Sequence, residues 1–136
     1  MTQIIPYLSF AGNCREVMTF YKECLGGELN LMTVAETPMA GQMPAEMGQQ
    51  IMHANLSKNG WSLMASDMNP NIQQGNTVNI CINCNSEEEL NSFFAKLSDG
   101  GTVHHPVSKF FAGTMGDFSD KFGINWMLYY GENMQQ

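Results

Sequence analysis

Three histidines, four cysteines and an aromatic-rich C-terminal stretch are the groups in this 136-residue chain best equipped for chemistry. Imidazole can ligate a metal or move a proton near neutral pH, and a thiolate can ligate or attack. His53 sits in the middle of Ile51-Met-His-Ala-Asn-Leu56 with apolar neighbours. A strand histidine in such company is either a hydrogen-bonded core residue or a group pointing into a cavity, and both readings stand. His104 and His105 are adjacent. Neighbours in a strand face opposite ways, so the pair is expected not to chelate together and to be structural. Cys14 and Cys24 lie on one predicted helix, about 15 Å apart along its axis, too far to bridge. Cys81 and Cys84 form a C-x-x-C within a predicted strand. A redox or zinc C-x-x-C belongs on a turn or helix start. The cysteines are therefore read as small buried or half-buried thiols in a reducing compartment. Phe110, Phe111, Trp126, Tyr129 and Tyr130, with Trp61 earlier, are read mostly as core, Trp126 and Leu128 sharing one strand face and Met127 and Tyr129 the other. No Ser-His-Asp or Cys-His arrangement can be argued from spacing, and no Walker or dinucleotide loop is present. No residue is assigned as catalytic.

Two helices must position these groups. Phe10–Glu28 places Cys14, Val17, Met18, Tyr21, Cys24 and Leu25 on one face of a 3.6-residue period, with Asn13 and Glu16 at capping-box spacing and Gly26-Gly27 at the end. Cys84–Val103 repeats the pattern with Ser86 and Glu89, then Leu90, Phe93, Phe94 and Leu97, then Gly100-Gly101. A strand-like run precedes each helix, Gln3–Phe10 and Thr77–Cys84, the latter alternating Val78, Ile80, Ile82 and Cys84 against polar residues. Further extended runs follow each double glycine: Glu28–Glu36, Gln50–Leu56 and Trp61–Ser66 in the first half, and Thr102–Val107, Thr114–Ser119 and Ile124–Tyr130 in the second. Each half reads strand, helix, three strands. The expected fold class is α+β: two βαβββ modules, 1–70 and 76–131, forming cupped mixed sheets within one domain, 1–136.

Six basic residues against thirteen acidic give a net charge of −7, which repels phosphate backbones and anionic lipid. Neither nucleic acid nor membrane is an expected partner. With no bilayer-length apolar run and no charged-then-apolar leader, the chain is read as soluble and cytoplasmic. Thr37–Gly48 has no counterpart in the second half and carries Met39, Met43 and Met47 at four-residue spacing. It reads as a surface excursion, the alternative being a flexible lid whose thioethers adapt to apolar ligands. Asp67–Gly75 is a polar connection between modules, and Gly131–Gln136 is expected to fray.

The paired modules resemble the vicinal oxygen chelate superfamily of glyoxalase I, bleomycin-resistance proteins, fosfomycin-resistance enzymes and extradiol dioxygenases. The finer resemblance is to its PhnB-like branch, also labelled 3-demethylubiquinone methyltransferase-like. It is carried by Pro6-Tyr7-Leu8-x-Phe10, Phe20-Tyr21 followed by Gly26-Gly27, Ile51-Met52-His53-Ala54-x-Leu56, Leu63-Met64-x-Ser66-Asp67, and Gly116 with Asp120-x-Phe122-Gly123-x-x-Trp126. These motifs span essentially the whole chain. No residues here resemble a nucleotide-cofactor loop that a methyltransferase label would imply.

In enzymatic members of the superfamily a cupped sheet holds a divalent ion through His, Gln and Glu on first and last strands. Those positions fall here near Pro6 or Tyr7, near Asn79 and on Met127, residues unsuited to Mg²⁺, Mn²⁺, Zn²⁺ or Fe²⁺. The resemblance therefore implies a cup without the usual triad, no cofactor, and a lining that is apolar and aromatic with a few polar groups. The candidate ligand-binding residues are His53, Asp67, Asn79, Phe110 and Trp126. The expected function is a homodimeric PhnB-like protein binding a small, partly apolar or aromatic molecule. The alternative is a metal-dependent superfamily enzyme with a non-standard ligand set including His53 and Asp67. A third reading has the dimer surface carry the role and the cup vestigial.

Overall fold

Cys14, Val17, Met18, Tyr21, Cys24 and Leu25 are all buried along one face of helix α1 (Cys14–Leu25) in the computed structural model, which describes residues 2–131. The fraying expected for the tail past Gly131 lies outside the described residues. The chain divides into two compact units, Met1–Gln73 and Gln74–Gln136. Besides α1, the first holds β1 (Tyr7–Ser9), β2 (Glu28–Thr33), β3 (Ile51–Lys58) and β4 (Trp61–Ser66). The second holds β5 (Ile80–Asn83), α2 (Glu87–Ser98), β6 (Thr102–Phe110), β7 (Gly113–Ser119) and β8 (Asn125–Tyr130). Each is a βαβββ unit, so the fold is α+β. Among the described residues no helix is long and apolar enough to cross a membrane.

Both units use one topology. The strand orders are β1-β4-β3-β2 and β5-β8-β7-β6, four strands each. The first and last strands of each unit pair in parallel, and the other pairs are antiparallel. One face of each sheet is covered by its helix. Ala54 and Leu56 of β3 and Leu63 and Ala65 of β4 are buried with the apolar face of α1. In the second unit Leu90, Phe94 and Leu97 of α2 are buried with Phe118, Trp126 and Leu128. Gly116 is required there: a Cβ on it would stand 2.7 Å from the Phe94 ring. Phe94 in turn meets Phe118 edge-on, with centroids 4.9 Å apart.

The helix ends differ from one another in an instructive way. Ser86 caps α2 as its spacing predicts, its Oγ accepting from the Glu89 amide at 3.1 Å while the Glu89 carboxylate accepts from the Asn85 amide at 2.9 Å. The cap expected at Asn13 is not made, and the Asn13 side chain forms no cap bond. Asp67, just past β4, supplies it instead. One carboxylate oxygen accepts from the Gly12 and Cys14 amides at 2.9 and 3.0 Å, and the other from the Ile51 amide at 2.9 Å. A carboxylate is the stronger acceptor at a helix N-terminus, and tertiary structure delivers it from outside the local window. At the other end of α1 the Lys58 ammonium donates to the Leu25 carbonyl at 2.8 Å.

Two expected strands are shorter than their sequence patterns. The run before α1 pairs only over Tyr7–Ser9, since Pro6 has no N–H for the ladder. The run before α2 enters its ladder only at Ile80, opposite Trp126. Val78 is 76% exposed, and Asn79 is exposed too. The segment after β2 winds through short 3-10 turns at Val34–Glu36, Pro38–Gln42 and Ala45–Met47. Its Met39 is exposed, and Met43 and Met47 are half-buried.

Candidate functional site

The uncovered face of each sheet is where side chains remain available. In the first unit Ala54 and Leu56 point to α1, so His53 and Asn55 on β3 point away from it. The strand register lines up Tyr7, Met64, Asn55 and Asn30 in one row across all four strands. His53 lies beside this row, paired with Met32 of β2 at a bulge. The Tyr7 and His53 rings are 6.0 Å apart between centroids and tilted by 36°. Thus two rings, two thioethers and two amides share the face. Asn55 Oδ1 exposes less than 1 Å² and makes no hydrogen bond.

The second unit carries the equivalent row Cys81, Met127, Asp117 and His105. His105 Nδ1 lies 2.9 and 3.0 Å from the two Asp117 oxygens. An ionised carboxylate only accepts, so Nδ1 is the donor of this contact. His104 Nε2 lies 2.8 Å from Ser119 Oγ, whose hydroxyl donates to Asn125 Oδ1 at 2.6 Å. Having spent its proton on Asn125, the serine oxygen accepts from His104. The two histidines thus reach Asp117 and Ser119, which share a face of β7 by their spacing of two. The expectation of opposite orientations is corrected here. Register shifts on either side of His105 break the alternation, which is what a β-bulge does.

The five residues expected to line a cavity are distributed between the units. His53 and Asp67 belong to the first, and Asn79, Phe110 and Trp126 to the second. His53 is half-buried on the uncovered face. Asp67 is buried with its carboxylate committed to three main-chain amides. Trp126 is 1% exposed, and its indole N–H donates to Asp120 at 2.8 Å. The other Asp120 oxygen accepts from the Phe122 and Ile124 amides at 2.9 and 3.1 Å. Asn79 stands exposed one residue before β5. Phe110 is half-buried at the end of β6, its ring 5.4 Å edge-on from that of Phe111. Phe111, read from sequence as core, is fully exposed at the hairpin tip.

Sequence reasoning passed over Asn55, the pairing of the Tyr7 ring with His53, and the His105–Asp117 contact. The signal for Asn55 was present, because in Ile51–Lys58 it follows His53 by two. Burial sets the thiols: desolvation pushes Cys14 up to about 12, with the Asp67 charge adding to it and Arg15 opposing. Cys84 is likewise raised to about 12 by burial, then by Glu89 and Cys81. Burial also raises Cys81. None of the four cysteines is joined in a disulfide. The Thr114 hydroxyl, 2.7 Å from Glu87, holds that carboxylate below its ordinary range, with Lys109 assisting.

The divalent ion associated with this fold needs carboxylate or imidazole donors converging on a point. The positions in question hold Pro6 or Tyr7, Asn79 and Met127, and Asn79 lies outside its strand. Among the described residues no three His, Cys, Asp or Glu side chains are grouped so as to hold a metal ion. The donor set does not fit the ion.

Residues 2–129 match the family model described as 3-demethylubiquinone-9 3-methyltransferase. The chain belongs to that PhnB-like family. Protein YjdN of Escherichia coli strain K12 is 33% identical over 134 residues, covering 90% of this chain and 91% of its own. The crystal structure of protein PA1353 from Pseudomonas aeruginosa superposes with a TM-score of 0.86 at 36% identity, over 96% of this chain and 98% of that one. A putative 3-demethylubiquinone-9 3-methyltransferase, PhnB protein, from Bacillus cereus gives 0.74 at 25% identity, over 96% of this chain and all of that one. The fold reaches further, to a glyoxylase/bleomycin resistance protein/dioxygenase domain from Frankia sp. EAN1pec, at a TM-score of 0.62 and 14% identity over 97% and 99% of the chains. The PhnB-like fold is thus of the glyoxalase and bleomycin-resistance type.

Proposed function

We propose that this PhnB-like protein binds a small, partly apolar or aromatic molecule on the uncovered face of its first sheet, without the usual metal triad. The supporting observation is the ring pair of exposed Tyr7 and half-buried His53, flanked by Met64 and Met32, on the face away from α1. Rings and thioethers give area and adaptable contact, and Asn30 and Asn55 give orientation. Cysteines held as thiols, none in a disulfide, support a reducing, cytoplasmic location. Ile4 and Val78, 98% and 76% exposed just ahead of edge strands β1 and β5, support a homodimer.

Calorimetric titration with small aromatic compounds tests the reading. Binding that weakens at least tenfold in both Tyr7→Ala and His53→Ala is expected. Unchanged affinity in both variants refutes it. The metal-dependent alternative is decided by equilibration with divalent ions and elemental analysis: one tightly held ion per chain, lost in His53→Ala, would replace the present reading.

A further inference from the structure

Among the described residues, the groups that fail to converge on a metal ion are imidazole, thiol and carboxylate. Thioethers are a separate ligand class, with a preference for soft ions such as Cu(I). The chain carries twelve methionines, and two of them flank His53 on the face of the first sheet away from α1. Met32 stands directly opposite His53 across β2 and β3, which sets their Cβ atoms about 5 Å apart. Met64 pairs with Asn55, the next residue of β3 on that face, and so is a diagonal neighbour of His53 at about 7–8 Å. The Tyr7 and His53 rings, with centroids 6.0 Å apart, meet over β4, the strand that carries Met64. All of these side chains are reachable from solvent: Tyr7 and Met32 are exposed, and His53 and Met64 are half-buried.

We propose that His53, Met32 and Met64 form a binding site for one Cu(I) ion, held by an imidazole nitrogen and two thioether sulfurs. The proposal goes beyond the aromatic-ligand reading and does not rest on it. Three features carry it. The donors are neutral and soft, and no carboxylate stands among them. Glu28, on the same face, lies four residues along β2 from Met32, about 13 Å away. Glu36 is engaged by the Thr33 amide and hydroxyl, and Asp67 by three amides. A hard divalent ion would find no anionic ligand here, whereas a soft monovalent ion needs none. The methionine side chain has three rotatable bonds, so both sulfurs can close on an ion without a shift of the strands. The Tyr7 ring beside the imidazole offers its π face to a cation.

The test titrates the full chain with Cu(I), kept reduced and free of oxygen, in competition with a chromophoric Cu(I) chelator. Cys81 is an exposed thiol that would compete, so Cys81→Ser is the background throughout. One ion per chain is expected, with the Met32 and Met64 methyl signals and the His53 ring signals shifting together in NMR spectra. Met32→Leu and Met64→Leu keep the volume and lose the sulfur. Each is expected to weaken binding at least about tenfold, the scale on which even outer-shell partners of a metal act. Met39→Leu, a thioether on the excursion after β2, is expected to leave the affinity unchanged. Ag(I) is expected to move the same signals, and Zn(II) is not. Unchanged Cu(I) affinity in both Met32→Leu and Met64→Leu would overturn the site. So would the absence of saturable binding once Cys81 is replaced, or displacement of Cu(I) by an equal concentration of Zn(II). None of these results bears on aromatic binding, which is measured in ion-free protein.

Discussion

Replacing Asp67 by alanine removes the acceptor for three amides in one step. The Cys14 and Ile51 bonds are buried and the Gly12 bond is partly so. Each buried N–H left unmatched costs about 1–3 kcal/mol, and loss of a helix N-cap alone costs about 1 kcal/mol. Relief from burying a charge returns part of this. The expected net loss is about 3–5 kcal/mol, a large share of the roughly 5–15 kcal/mol that holds a domain folded. Asparagine is not a safe substitute at this site. It keeps one acceptor but turns an amino group toward an N–H about 3 Å away, so its loss should come to about 2–4 kcal/mol. Urea unfolding followed by far-UV circular dichroism is the assay, with the slope checked for constancy so that the midpoint shift reads as stability. A loss below about 1 kcal/mol for Asp67→Ala, or a neutral Asp67→Asn, would refute the account of this carboxylate as the clasp between α1 and β3.

Further outcomes follow from the same contacts. Asp120→Ala should cost about 2–4 kcal/mol, because the indole N–H of buried Trp126 and two amides lose their acceptor, and a red-shifted Trp126 emission in a Trp61→Phe background reports it. Gly116→Ala should destabilise by about 1–3 kcal/mol through overpacking against Phe94, read as a lowered urea midpoint. A thiol reagent at pH 8 should modify Cys81 first, leaving Cys14, Cys24 and Cys84 for modification on unfolding. The Cys14 and Cys84 thiols are raised from 9.0 to about 12 in the folded chain, so the unfolded chain releases their protons first. Their contribution to stability is therefore full below pH 9 and lost as pH rises from 9 toward 12, seen as urea midpoints falling across that window.

The duplicated βαβββ plan was legible because it is written in local signals: helical spacing from Cys14 to Leu25, period-two alternation in Ile80–Asn83, and glycines at both helix ends. What sequence reading could not supply came from outside those windows. Asn13 has the right type and spacing to cap α1, yet a carboxylate more than fifty residues away does so. Adjacent His104 and His105 obey the alternation rule only while the ladder is regular, and register shifts on both sides of His105 break it. Strand length depends on what the partner offers, so Val78 and Asn79 remain outside a ladder that begins opposite Trp126. Pattern left His53 two orientations, and the structure puts it half-buried on the face away from α1. Asp67 and Trp126 looked like lining because acidic and aromatic residues line cavities; their hydrogen-bond partners are visible only in three dimensions.

Asp67 and Asp120 spend both oxygens on main-chain amides and an indole, away from the rows that carry Tyr7, Asn55, Asp117 and His105. What closes the architecture is thus carried by side chains other than those of the rows proposed to meet a small molecule. Exchange of residues along either row leaves the clasps untouched, so a lineage built on this plan can vary those faces many times over without having to re-evolve a way to fold.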